Sequence, residues 1–131
     1  MIVTKEFWFC AGHRLVGVPK CKQPHGHNYR VEVSVEGKDL EGGMVINFDE
    51  FKSLIKWVDK TLDHSFMIAC DDDEMRDALE SIQDTKLYVT ASPPTCEVIA
   101  SIIYYAAIDQ GLNVYSVTVY ETHSCSATYS G

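Results

Sequence analysis

Three histidines, His13, His25 and His27, fall within fifteen consecutive positions of a 131-residue chain. In an extended strand residues i and i+2 project from one face, so the imidazoles of His25 and His27 can reach a single metal ion. Gly26 between them removes bulk from the opposite face. His25 and His27 share the parity of Tyr29, Val31 and Val33, while His13 shares that of Phe7, Phe9 and Ala11. If the two segments pair as antiparallel neighbours, the end of the first meets the start of the second and three imidazoles gather on one face. Three neutral imidazoles with an open fourth position make a catalytic-type zinc site, whereas a structural site is normally filled by four protein ligands. Cys21, four residues before His25, belongs to the same group. A thiolate beside a dication can close the site as a fourth ligand or act as a base over a metal-held substrate. Spacing leaves both roles open, and the ordinary alternative is three unrelated histidines at a loop end.

The elements that must position these residues follow from periodicity. Ile2 to His13 and His27 to Gly37 carry the two-residue alternation of half-buried strands, with Arg14 to Pro24 as a long polar loop between them. A Gly42-Gly43 turn and a short strand at Met44 to Ile46 come next. Phe48, Phe51, Leu54, Ile55, Val58 and Leu62 then recur at helical steps. Asn47 and Glu50 suit the start of that helix as cap and reciprocal partner. Asp71 to Glu74 begins a short surface helix, and Lys86 to Thr90 is β-rich. Thr95 caps a second long helix with Val98, Ile99, Ile102, Ile103 and Ala106 on its apolar face, and Gly111 stops it. Tyr115, Val117, Val119 and Glu121 share one face of a last long strand, with a short one near Ala127 to Tyr129. Paired strands with two separated helices predict an α+β fold with antiparallel pairing.

Composition narrows the function. Nineteen acids against eleven bases leave a charge of −8, which argues against a reader of nucleic-acid backbones. No run of eighteen apolar residues would span a membrane, and Lys5 and Glu6 interrupt the stretch where a signal peptide needs apolar residues. Five scattered cysteines, an odd number, read as reduced thiols. The expectation is a single cytoplasmic domain over 1–131 that contacts neither nucleic acid nor membrane.

Six motifs in order then resemble one family, the 6-pyruvoyl- and 6-carboxy-tetrahydropterin synthases. They are Phe9 to Leu15 (FCAGHRL), Cys21-x-x-x-His25-Gly26-His27-Asn28-Tyr29, Gly43 to Phe48 (GMVINF), Leu62-Asp63-His64, Pro94-Thr95-Cys96-Glu97, and Glu121-Thr122. The resemblance implies that His13, His25 and His27 bind Zn2+ and that Cys21 is the general base. It implies a proton relay through His64 beside Asp63, and Glu121 as anchor of the pterin ring with a share in the relay. Thr95 and Glu97 would lie close to the substrate. The implied fold is the T-fold, a four-stranded antiparallel sheet with two helices on one face. Its subunits assemble into a β-barrel homo-oligomer, a hexamer built as a dimer of trimers, with active sites at subunit interfaces.

The implied substrate is 7,8-dihydroneopterin triphosphate. The pyruvoyl branch eliminates triphosphate. The carboxy branch gives 6-carboxy-tetrahydropterin, acetaldehyde and triphosphate, and feeds 7-deazaguanine (queuosine) synthesis. The short Cys-x-x-x-His-Gly-His spacing resembles the carboxy branch, whereas Asn47 stands where that branch commonly has Asp. A non-catalytic, zinc-stabilised oligomer that binds pterins is the alternative from another class, and the pairing of Cys21 with His64 argues against it. Lys5, Arg14, Lys20 and Lys22 are the candidates to meet the triphosphate, and Cys10 reads as an inert core thiol whose parity points away from the histidines.

Overall fold

Apolar alternation in the first forty residues becomes two twelve-residue strands, β1 (Ile2–His13) and β2 (His25–Glu36). In the computed structural model, which describes residues 1–131, they pair antiparallel without a break from Ile2–Glu36 to His13–His25. A 3-10 turn (Phe48–Phe51) then leads into α1 (Lys52–Thr61), β3 (Ser65–Ala69), α2 (Asp73–Glu80), β4 (Leu87–Thr90), α3 (Cys96–Asp109), β5 (Val114–Thr122) and β6 (Cys125–Tyr129).

The strands form one sheet in the order β4-β3-β1-β2-β5-β6. The expected four-stranded antiparallel sheet is present as β1, β2, β5 and β6. Two further strands extend it, because β3 joins β1 in parallel and β4 joins β3 in parallel. The sheet therefore has six strands, and it is mixed. Ser65 to Ala69 shows no alternation because four of its five residues are buried, as in strands covered on both faces. Met44 to Ile46 forms no strand. Only an isolated bridge between Glu41 and Met44 marks that segment.

One apolar cluster of twenty buried residues lies between the sheet and the helices. Phe7, Phe9, Tyr29, Val31 and Val33 enter it from β1 and β2, Val117 and Val119 from β5. Leu54 and Val58 of α1 and Ile99 and Ile103 of α3 close it from the helical side. At about 1.5–3 kcal/mol for each fully buried large aliphatic side chain, this cluster is what ties the helices to the sheet. The α2 helix is the short surface helix expected from Asp71 to Glu74, a third beside the two of the implied T-fold, and its buried Met75 lies outside the cluster.

The helix signals hold in detail. Asn47 Oδ1 accepts the Asp49 N–H at 2.9 Å and Glu50 Oε1 accepts the Asn47 N–H at 3.3 Å, a capping box on the 3-10 turn. Thr95 Oγ1 accepts the Val98 N–H at 3.4 Å at the start of α3, and Gly111 beyond its end takes φ +86°. At Gly12 a Cβ would sit 2.6 Å from the Phe66 ring, so the β1–β3 contact requires glycine there.

Candidate functional site

The β1–β2 register ends on the pair His13–His25, which brings the three imidazoles to one end of the sheet on its core-facing side. One ligand atom from each of His13, His25 and His27 lies within 4.8 Å of the others. Backbone carbonyls orient two of the rings. His13 Nδ1 donates to the Pro94 carbonyl at 2.8 Å and His25 Nδ1 to the Gln23 carbonyl at 2.7 Å. With Nδ1 as donor, Nε2 of each ring presents a lone pair, and these two nitrogens face each other at 3.1 Å.

His27 Nε2 is buried and has no hydrogen-bond partner. Burial lowers the pKa of His13, with the Pro94 contact and Glu121 acting the other way, and burial also lowers that of His27. Neutral imidazoles with facing lone pairs repel unless a cation sits among them. The donor set is three neutral nitrogens, so the residues present fit a borderline-soft divalent ion such as zinc.

Glu121, at the end of β5, approaches the same nitrogens, 3.4 Å from His27 Nε2 and 4.0 Å from His13 Nε2. A cleft of about 470 Å3 joins Lys20, Cys21, Gln23, His25, His27 and Glu121. Cys21 thus shares a wall with two of the histidines but is not part of the metal-ligating cluster, an arrangement that suits a base better than a fourth ligand. Glu121 also lines a second cleft of about 310 Å3, together with Leu15, Thr95, Cys96, Glu97, Cys125 and Ser126. Glu121 thus borders both clefts, and Glu97 lines only the second. Thr95 is there too, with its hydroxyl already engaged as the α3 cap.

Asp63 and His64 are placed elsewhere. His64 lines a surface cleft with Cys10, Gly12, Gly26 and Asn28, residues of the parity opposite to the triad, and with Ala11, His27 and Ser65. His64 and Cys21 line different clefts, with His27 common to both. The geometry of the Asp63–His64 pair is tight. His64 Nδ1 donates to Asp63 Oδ2 at 2.7 Å, which leaves Nε2 free, and the His64 side chain is 80% exposed.

Asp63 Oδ1 accepts the Cys10 N–H at 2.8 Å, and the His64 N–H donates to the Cys10 carbonyl at 2.6 Å. Burial opposes ionisation of Asp63, yet the Cys10 N–H, His64 and Lys86 together hold its pKa below the ordinary value. His64 sits at φ +58°, a left-handed conformation that costs a non-glycine residue about 1–3 kcal/mol. Lys86 clamps this turn from below, donating to the carbonyls of Asp59 at 3.1 Å and Asp63 at 2.6 Å.

Several expectations change at this point. Cys10 is exposed and is not a core thiol, although its parity does turn it away from the histidines. Arg14 is withdrawn from any substrate by Asp72, whose Oδ2 accepts its Nε at 2.7 Å, and by Glu74 at 3.4 Å. Cys96 is the thiol that behaves as a packed group, donating to the Val119 carbonyl at 2.9 Å, and burial pushes its pKa up to about 11. Lys86 and the carbonyls of Gln23 and Pro94 escaped the sequence reading because carbonyl placement leaves no mark on residue type.

A sequence profile of the family described as 6-pyruvoyl tetrahydropterin synthase matches residues 2–131. The chain belongs to that family. Within the 6-pyruvoyl tetrahydropterin synthase family it is 36% identical over 130 residues to the 6-carboxy-5,6,7,8-tetrahydropterin synthase of Rickettsia typhi, a match covering 93% of this chain and 94% of that protein. Among solved structures it resembles an uncharacterized protein from Wolinella succinogenes, with TM-score 0.82, 26% identity and coverage of 100% of this chain and 98% of that one. It also resembles the 6-pyruvoyl tetrahydropterin synthase of Caenorhabditis elegans, with TM-score 0.71, 28% identity and coverage of 100% and 96%. The histidine triad is thus a candidate metal centre in a tetrahydropterin synthase scaffold.

Proposed function

We propose that this protein is a zinc-dependent 6-carboxy-5,6,7,8-tetrahydropterin synthase acting on 7,8-dihydroneopterin triphosphate and water, with acetaldehyde and triphosphate released. The observation that carries the reading is the convergence of His13, His25 and His27 beside a cleft that also holds Cys21 and Glu121. The relative in Rickettsia typhi supports the carboxy branch. The product of that branch would enter 7-deazaguanine synthesis.

His13, His25 and His27 would hold the zinc ion, which when bound would supply Lewis acidity to hydroxyl groups of the substrate side chain. Cys21, on the wall of the same cleft, removes a proton from that side chain. The Glu121 carboxylate accepts N–H groups from the guanidine-like edge of the pterin, with Glu97 and Thr95 along the adjoining cleft. That edge gives a partner to a carboxylate that is otherwise costly to bury. His64 returns the proton through its free Nε2, while Asp63 fixes its tautomer.

The separate clefts of Cys21 and His64 favour an intermolecular relay. His64 and Cys21 of one chain line different clefts, so each site takes His64 and Asp63 from the partner subunit. A homo-oligomer follows, with a hexamer arranged as a dimer of trimers as the expected form. It also explains how so small a chain could assemble a metal site, a relay and a pterin pocket.

A second reading, triphosphate elimination to 6-pyruvoyl-tetrahydropterin, is favoured by Asn47 and by the resemblance to the Caenorhabditis elegans protein. Mass spectrometry of the products from zinc-loaded protein separates the two. Acetaldehyde with the carboxy product supports the first reading, and a pyruvoyl product selects the second. Stoichiometric binding of the substrate without turnover would leave a binding oligomer.

A further inference from the structure

The geometry points to Lys20 as the residue that receives the anionic phosphate tail of the substrate. This inference rests on the proposed substrate being a phosphate ester of a pterin. A polyphosphate entering a chain of net charge −8, past Glu121 in the cleft wall, needs an opposing charge at the point of entry. Of the residues that line the cleft with Cys21, His25, His27 and Glu121, Lys20 is the one that carries a permanent positive charge.

The other cations of the first strand pair and its loop are elsewhere, Arg30 of β2 among them, paired with Glu6 and Glu32 and lining another cleft. Arg14 is held by Asp72 and Glu74 in a separate cleft. Lys5 lies on β1 eight residues from His13, roughly 26 Å along the strand. Lys22 is exposed and is absent from the cleft wall. The Lys20 ammonium forms no salt bridge within 4.0 Å and no side-chain hydrogen bond with another residue, so it is free for a ligand.

Its backbone is tied to the metal centre. The Lys20 carbonyl accepts the Gln23 N–H at 3.3 Å, and the Gln23 carbonyl accepts His25 Nδ1–H at 2.7 Å. Two more bonds brace the loop, Leu15 N–H to the Cys21 carbonyl and Lys22 N–H to the Val18 carbonyl, both at 2.7 Å. Lys20 and Cys21 are therefore delivered together. This matches a substrate whose phosphorylated carbon ends the same short side chain that carries the reacting hydroxyl groups. The ammonium orients the tail while the neighbouring thiol acts on the chain, and it neutralises the departing anion.

The test compares two ligands that differ only in the tail. Binding of 7,8-dihydroneopterin triphosphate and of 7,8-dihydroneopterin is measured calorimetrically on the zinc-loaded oligomer carrying Cys21→Ala to prevent turnover. Adding Lys20→Met is expected to cut the triphosphate's affinity advantage about tenfold or more while leaving dihydroneopterin binding unchanged. Lys20→Arg should keep the advantage. An unchanged advantage in Lys20→Met overturns the assignment, and so does an equal loss for both ligands, which would mark a structural effect on the loop. Failure of both ligands to bind the Cys21→Ala parent would overturn the substrate reading itself, and the assignment with it.

Discussion

If each site takes Cys21 from one chain and His64 from another, two inactive variants should rescue each other when assembled together. The perturbation is co-assembly of Cys21→Ala and His64→Ala chains in equal amounts. Loss of a positioned acid or base costs about 10²–10⁴-fold in rate, so each variant alone should give at most about 1% of wild-type activity. In the mixture a site is whole only when its Cys21 comes from a His64→Ala chain and its His64 from a Cys21→Ala chain. Random assembly makes each condition true half the time, so about a quarter of the sites are intact. The structural premise is the separation of two clefts. Cys21 shares a cleft with His25 and His27, and His64 lines a different one mostly with residues of the opposite parity, Cys10, Gly12, Gly26 and Asn28, with His27 bordering both. Co-expression with two affinity tags isolates the mixed oligomer, and initial rates on dihydroneopterin triphosphate are then compared with wild type. Activity near a quarter is expected. Mixed oligomers no more active than the single variants would refute the reasoning, because they would show that one chain supplies both groups.

Further outcomes follow from individual contacts. Cys21→Ala should keep one zinc per chain, read by elemental analysis, and lose about 10²–10⁴-fold in kcat, whereas loss of the metal would make Cys21 a ligand. Gly12→Ala should lower stability by about 1–3 kcal/mol in denaturant unfolding, since its Cβ would meet the Phe66 ring at 2.6 Å. The Arg14 guanidinium, hydrogen-bonded to Asp72, holds its carboxyl below the ordinary carboxylate range. Stability from this pair is complete above the unfolded value and disappears as pH falls through the folded one, so Arg14→Met should flatten the acid limb of Tm against pH below about pH 4.

Much of the site was legible because parity is a simple code. Alternation through Phe9, Ala11 and His13 and through His25, His27 and Tyr29 fixes a face for each imidazole, and the unbroken β1–β2 register turns those faces into one cluster. Caps were equally readable at Asn47 and Thr95, where a short polar side chain bonds the first turn. The β3 strand was not readable, since Ser65 to Ala69 is too short and too fully buried to alternate. The orientation of His64 was also hidden. It depends on a left-handed residue after α1 and on the bonds of Asp63, His64 and Cys10, none of which is encoded by spacing. The motif Leu62-Asp63-His64 therefore marks a candidate residue without saying which cleft it lines.

The central claim is that the triad holds the metal on which turnover depends. Its most direct test is the rate of dihydroneopterin triphosphate consumption as metal is removed by a chelator and then restored with one equivalent of zinc per chain. The account expects activity to fall with metal content, to return with zinc, and to remain absent in His27→Ala under the same reconstitution. Full turnover by metal-free protein, or by His27→Ala without bound metal, would contradict it.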